Sequence, residues 1–174
     1  MFEQNGEPAP ALSRNHSGQV MQSVRDVATF SEVLSQEGLA AALAFLNAGV
    51  AHRYTAIYRF EGELLRNVAL YDKLDQVRPD FLLMVPFRHS FCQFVLRDQA
   101  FRTEDSRLDR RLDGHPYQGV VISYHSVPLT TQEGALWGTM SHFDMVSHSL
   151  SDEEFELLQQ AARALGSHLK QLDP

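Results

Sequence analysis

Cysteine is nearly missing: Cys92 is the single one in 174 residues. That excludes an internal disulfide framework and suits a reducing cytosol. No run approaches the ~18 apolar residues that a membrane-spanning helix needs. The first residues, Met1-Phe2-Glu3-Gln4-Asn5-Gly6-Glu7, lack the basic start and apolar centre of a secretory signal. Positive charge is also short, with 15 Lys and Arg against 22 Asp and Glu and a net charge of -7. A surface built to hold nucleic acid would show the opposite balance. The one basic cluster, Arg107 with Arg110 and Arg111, is interleaved with Asp105, Asp109 and Asp113. It reads as a salt-bridged, solvated loop before it reads as an anion clamp. The motifs G-x-S-x-G, G-x-x-x-x-G-K-[ST] and G-x-G-x-x-G are absent, which removes nucleophile elbows and phosphate-cradling loops. These absences together predict a cytoplasmic protein with neither nucleic-acid nor membrane partners.

What is present is ordinary globular material, 44% hydrophobic, in a length suited to one domain. Residues 1–17 carry Pro8, Pro10, Asn5, Asn15 and Gly6 without a hydrophobic period, and are expected to form a disordered tail. A single domain is expected over 18–174, with its core over about 39–172. Val20, Val24, Val27, Ser31 and Leu34 step by four and three, the stripe of a helix, and Leu39, Leu43, Leu46 and Val50 repeat it after a break at Gln36-Glu37-Gly38. Tyr54–Phe60 and Leu64–Tyr71 are strand-like and flank a Glu61-Gly62 turn, predicting a hairpin. The segment from Asp72 to His89 is broken by Pro79 and Pro86, and Phe81–Val85 is expected to be buried as a helical turn or a short strand. At the C-terminus Ser151 and Glu154 make a capping-box pattern. Phe155, Leu158, Ala162, Leu165, Leu169 and Leu172 then predict one helix of nearly three heptads. That stripe serves either as the face packed on a sheet or, paired with the Val20–Leu34 helix, as a homodimer seam.

The stretch Ser90–Asp144 organises the rest. An apolar helical run (Ser90–Leu96) leads into the edge segment Ala100–Thr103, a charged excursion over 107–119, and a second hairpin, Val120–Leu129 with Ala135–Asp144. A helix, a loop and a hairpin in this order predict a half-open cup of the kind a small molecule occupies.

Several of its motifs, in order, resemble a GAF domain. Ser90-Phe91-Cys92 followed by Val95-Leu96 resembles the helix that opens the second half of that fold. Asp105-Ser106-Arg107-Leu108-Asp109 through Gly114-His115-Pro116 resembles the family loop D-A-R-x-D-P-R-F-x-x-N-P. Ser123-Tyr124-His125-Ser126-Val127-Pro128-Leu129 resembles the strand Y-x-G-V-P-L, and Trp137-Gly138-Thr139-Met140 through Asp144 resembles x-G-T-L-x-x-x-D. Ser151–Leu165 resembles the closing helix S-x-E-D-L-x-L-L-x-x-L-A. The resemblance covers roughly Leu39–Leu172. It implies an α+β, GAF/PAS-like fold: a six-stranded antiparallel sheet with the N- and C-terminal helices on one face and a loop-and-helix layer forming a pocket on the other. It also implies a sensory, regulatory domain that binds a small-molecule ligand. Because the sequence stops at Pro174, just after the closing helix, the signal is expected to pass through dimer geometry or a kinase or transcription-regulator partner.

One departure stands out. His125-Ser126 replaces the apolar residue and Gly that precede Val-Pro-Leu in the family pattern, placing a titratable group on a central strand. His125 and His142 fall on the two strands of the second hairpin, with Asp144 on the face of His142. Such a set could hold a metal or ligate haem, but it lacks H-x-x-x-H or C-x-x-C spacing, so no metal site is assigned and neither metal nor haem is expected. A covalent bilin chromophore would need a cysteine in the loop region, and none is there. Cys92, three residues after His89, is read first as a core thiol. The rival reading is a reductase of free methionine sulfoxide using Cys92, with an external thiol standing in for the missing resolving cysteine. A third reading is a ligand-free interaction module. Catalysis is not the leading expectation, and the ligand-binding residues expected are Tyr58, His89, Phe91, Cys92, Asp105, Tyr124, His125, Thr139 and His142.

Overall fold

The computed structural model describes residues 24–173. The expected N-terminal tail, and Val20 of the first helical stripe, lie outside these residues.

Two helices come first, α1 (Val27–Glu37) and α2 (Leu39–Ala48). The first begins later than its stripe suggests. Asp26, in an extended conformation, accepts a hydrogen bond from the Thr29 backbone N–H and so caps the free amides of the first turn. Val24 precedes that cap and is 64% exposed. The hairpin β1 (Tyr54–Glu61) and β2 (Leu64–Asp72) follows, turning at Gly62 with φ +62°, a left-handed conformation that glycine reaches without a Cβ clash. The Phe81–Val85 run is divided between the two expected forms: Asp80–Leu82 is a single 3₁₀ turn, and Met84–Pro86 is the short strand β3 paired with β2. The expected burial fails for Phe81, Leu83 and Met84, which are exposed, and Leu82 and Val85 alone turn inward. After α3 (Cys92–Asp98), which stops where Gln99 turns left-handed, come the edge strand β4 (Phe101–Thr103) and the hairpin β5 (Ser123–Thr130) with β6 (Leu136–Asp144).

The last helix, α4, runs Asp152–Leu165. Ser151 caps it, its Oγ accepting from the Glu154 N–H at 3.2 Å. The expected capping box is only half made. The Glu154 carboxylate instead takes the Arg25 guanidinium, at 2.5 and 2.9 Å. The leucine stripe also continues past the end of the helix. Leu169–Leu172 is a separate 3₁₀ turn, so the predicted continuous helix of nearly three heptads stops at Leu165. Leu169 and Leu172 keep the spacing of three that a 3₁₀ turn and an α-helix share, and periodicity alone does not separate the two.

All strand pairings are antiparallel, in the order β3-β2-β1-β6-β5-β4 of one six-stranded sheet. The sheet is covered on both faces, which gives the fold two apolar layers. On one, Phe30, Leu43, Leu46, Leu158, Leu165 and Leu169 from the helices bury Ile57, Val127, Leu129 and Met140 of the strands. On the other, α3 and the irregular segments bury Tyr54, Tyr58, Leu65, Tyr124 and Phe143. The alternation of strand side chains sorts the residues: even-numbered Tyr54, Ala56 and Tyr58 face one layer, Ile57 the other. The α4 stripe is consumed in the first layer, where Leu158, Leu165 and Leu169 are fully buried within the chain itself. Each such leucine contributes about 1.5–3 kcal/mol by leaving water.

The β1–β6 contact fixes one glycine. A Cβ at Gly138 would stand 1.9 Å from the Tyr58 carbonyl oxygen, so only a residue without one lets the central strands approach. Among the described residues no helix is long and apolar enough to cross a membrane.

Candidate ligand pocket

The second layer is not completely filled. A cavity of about 60 Å³ lies between the sheet and the segments that cover it. The strands supply Tyr58, Leu65, Tyr124 and Phe143, and Ser90, Phe91 and Cys92 enter from the start of α3. Phe81, Leu82, Val85, Tyr117 and Val121 complete the wall from the loops and β3. Phe81, 39% exposed, and the half-buried Tyr117 are the outermost of these, with ring centroids 6.3 Å apart and nearly parallel. The mouth therefore lies at these two rings.

The wall contains no Asp, Glu, Lys, Arg or His among the described residues. Its polar atoms are phenols, a hydroxyl and a thiol, and they already bond one another. Tyr58 Oη donates to the Leu82 carbonyl at 2.7 Å, and Ser90 Oγ to the Phe87 carbonyl at 3.0 Å. Cys92 Sγ lies 3.1 Å from Tyr124 Oη and 3.3 Å from Thr139 Oγ1. Tyr124 Oη in turn accepts from Ser141 Oγ at 3.4 Å, and Ser141 meets Ser126 at 2.7 Å. A chain of neutral hydrogen bonds thus runs from the cavity into the sheet.

Burial sets the charge state of this chain. It pushes the Cys92 thiol above its ordinary pKa, against the opposing effect of hydrogen bonds from Thr139 and Tyr124. Burial likewise raises Tyr124 well above 10, and the nearby thiol adds to the effect. The site is neutral across the physiological range, and Cys92 is held as a thiol rather than a nucleophilic thiolate. Cys92 is the core thiol that its apolar helix suggests: His89, three residues earlier, is exposed in the turn Phe87–His89, and burial governs the thiol.

A GAF domain family model matches residues 31–169, the span that holds all six strands and α4. The chain belongs to the GAF domain family. Solved structures share the architecture. The phycocyanobilin-bound GAF domain of a cyanobacterial phytochrome has a TM-score of 0.61 at 15% identity, covering 84% of this chain and 92% of that one. The free methionine-R-sulfoxide reductase of Neisseria meningitidis, in complex with its substrate, has a TM-score of 0.61 at 16% identity, covering 80% and 83%. The photosensory core module of the Stigmatella aurantiaca phytochrome has a TM-score of 0.65 at 16% identity, covering 83% of this chain and 35% of that one. At such low identities these likenesses establish the fold. No curated protein matches the chain in sequence.

In this GAF domain the expected ligand-binding residues divide into three groups. Tyr58, Phe91, Cys92 and Tyr124 line the cavity, and Thr139 stands directly behind Cys92. His89 is exposed and Asp105 half-buried, both outside the cavity wall, with Asp105 held at 2.6 Å by Arg107. Arg111 is paired in the same way with Asp109, so the charged loop is salt-bridged as its interleaved sequence suggests.

His125 and His142 form the third group. They stand opposite each other on β5 and β6, but on the helix-covered face of the sheet. His52, from the α2–β1 link, packs its ring 4.9 Å from His125 and 6.1 Å from His142. Asp144 is close by, yet it accepts from the Arg53 N–H at 2.8 Å and pairs with His148 at 3.0 Å. Among the described residues no three His, Cys, Asp or Glu side chains are set to hold a metal ion. The expected set left out Leu65, Phe81, Leu82, Val85, Ser90, Tyr117, Val121 and Phe143 of the pocket wall. Of these only Phe143 had a usable signal, since it alternates with His142 along β6.

Proposed function

We propose that this GAF domain is a sensory module for a small, neutral, mainly apolar or aromatic ligand, bound between the sheet and the Phe81–Tyr117 mouth. The observation that carries the proposal is the uncharged wall. A phosphate or carboxylate entering it would shed its water and find no cation in return, a cost of several kcal/mol. An aromatic ring with one hydroxyl meets apolar walls and the Tyr58–Cys92–Tyr124 hydroxyl and thiol groups, which retain lone pairs to accept its proton. About 60 Å³ is small beside the ~300–1,000 Å³ of drug-sized sites. A bilin or haem would enter only by displacing the Phe81 and Tyr117 layer.

The rival redox reading has the position of Cys92 in the cavity in its favour. Its raised pKa and the lack of a second cysteine weigh against it. Assembly remains part of the proposal. A homodimer would use the outer faces of α1 and α4, since the apolar stripe of α4 is spent inside the chain. A cytoplasmic kinase or transcription regulator is the proposed receiver of the signal.

Native mass spectrometry with an absorption spectrum, on protein purified without denaturation, tests the ligand class. A co-purified neutral species of low mass, or an empty chain that takes up neutral aromatics, is expected. A bound nucleotide, bilin or haem would overturn the proposal.

A further inference from the structure

The histidines on the far face of the sheet have no part in the pocket. His52, His125 and His142 are 0%, 1% and 0% exposed, three rings packed together where the α2–β1 link crosses β5 and β6. His142 Nδ1 is 2.7 Å from Thr55 Oγ1, whose oxygen also takes the Asn47 amide at 2.9 Å. His125 Nδ1, His142 Nε2 and both ring nitrogens of His52 meet no hydrogen-bond partner among the described residues. The cluster thus joins the end of α2 to the sheet through neutral contacts alone.

The charged groups around it are mostly of the wrong sign to receive a proton. Arg25, ahead of α1, and Lys73, after β2, both act on His142; Arg102 of β4 acts on His125. Arg25 is itself paired with Glu154 of α4, and Arg102 with Asp152. His148, from the β6–α4 link, packs 5.2 Å from His52. The carboxylate that faces the rings is Asp144, already occupied by His148 and by the Arg53 and Met145 N–H groups. A proton placed on any ring would be a buried charge beside other cations, and a second would face the first across 4.9 Å.

We propose that the His52–His125–His142 cluster is an acid-operated seam, which on taking up protons releases the end of α2 and the α2–β1 and β6–α4 links from the sheet. This goes beyond the ligand pocket and does not depend on it. The sign follows from linkage. In the closed seam burial depresses His52 to about 4 and His125 to about 3, and His142 well below its ordinary value. Once opened to water, each ring returns to about 6.5. Above about pH 6.5 neither form binds protons and the seam is closed. Below it only the open form does, and each ring favours opening about tenfold per pH unit, up to about a thousandfold for the three together. Opening is therefore steep near pH 5–6, well above the depressed values themselves.

Hydrogen–deuterium exchange on the full chain at pH 7.5, 6.0 and 5.0, corrected for intrinsic rates, tests this. Peptides spanning 42–57 and 144–152 are expected to lose protection more than tenfold per pH unit below pH 6.5. Those over α3, on the opposite face, are expected to remain the more protected at each pH. His125→Gln should flatten the slope by about tenfold per pH unit, and His168→Gln, in the terminal turn, should leave it unchanged. If His125→Gln does not fold, proton uptake by the wild-type protein decides: two or three protons per opening support the seam, one or none overturns it. Protection that falls to one common level in all segments would mean plain acid unfolding and overturn it. So would an acid step that moves on adding EDTA, which would show protons displacing a bound cation.

Discussion

The Cys92 thiol and the Tyr124 phenol meet 3.1 Å apart inside the cavity, one from the first turn of α3 and the other from the start of β5. The contact ties the covering layer to the sheet, while burial keeps both groups uncharged and makes Cys92 a poor nucleophile. A thiol-labelling reagent at pH 7.5 should modify the native chain at least about a hundredfold more slowly than the urea-unfolded chain, because both exposure and thiolate fraction are suppressed. Fast native labelling would revive the redox reading.

Gly138→Ala should be among the most damaging single changes. Its methyl would lie 1.9 Å from the Tyr58 carbonyl, backbone that moves only if β1 and β6 separate. A loss of about 3 kcal/mol or more is expected in urea unfolding, or an insoluble product.

Arg25→Ala tests the clamp that holds the start of α1 to α2 and α4. Arg25 donates to the Phe45 and Leu46 carbonyls at the end of α2 and bonds both Glu154 oxygens. With the pair only partly buried, about 1–2 kcal/mol should be lost, again by urea unfolding.

Global stability should fall with acid on the same grounds as the seam. His52 and His125, at about 4 and about 3 when folded, charge near 6.5 when unfolded. Stability is complete above that value and declines below it. Between pH 7.5 and pH 5.0 these two groups remove about 4 kcal/mol, read as a lower urea midpoint at pH 5.0 than at pH 7.5. Equal midpoints would show that the rings are solvated in the folded chain.

The hairpins, their turns and the cap at Ser151 were legible because each rests on local chemistry: period-two strands, a Gly in a left-handed turn, a hydroxyl before an acidic first turn. Of the residues expected to bind a ligand, Tyr58, Phe91, Cys92 and Tyr124 stand in the cavity wall. What could not be read was which face of β5 and β6 meets the cavity. Nearly every residue from Trp137 to Asp144 is buried, because apolar layers cover both sides of the sheet, so alternation does not mark one side as wet. His125 and His142 therefore seemed as suited to the pocket as their neighbours Tyr124 and Phe143. The loop contributions of Leu82, Tyr117 and Val121 depend on how irregular segments fold over the sheet, which no periodicity records.

Binding of phenol and benzoate, followed by ligand-observed NMR on the same sample, tests the uncharged pocket most directly. The two probes share a ring and differ in charge. Phenol should bind measurably, and Val121→Trp, which places a large side chain in the cavity wall, should abolish that binding while the chain stays folded. Benzoate should bind at least about tenfold more weakly, given the cost of burying an unpaired carboxylate. Benzoate binding as tight as phenol, or phenol binding that survives Val121→Trp, would contradict the proposed site.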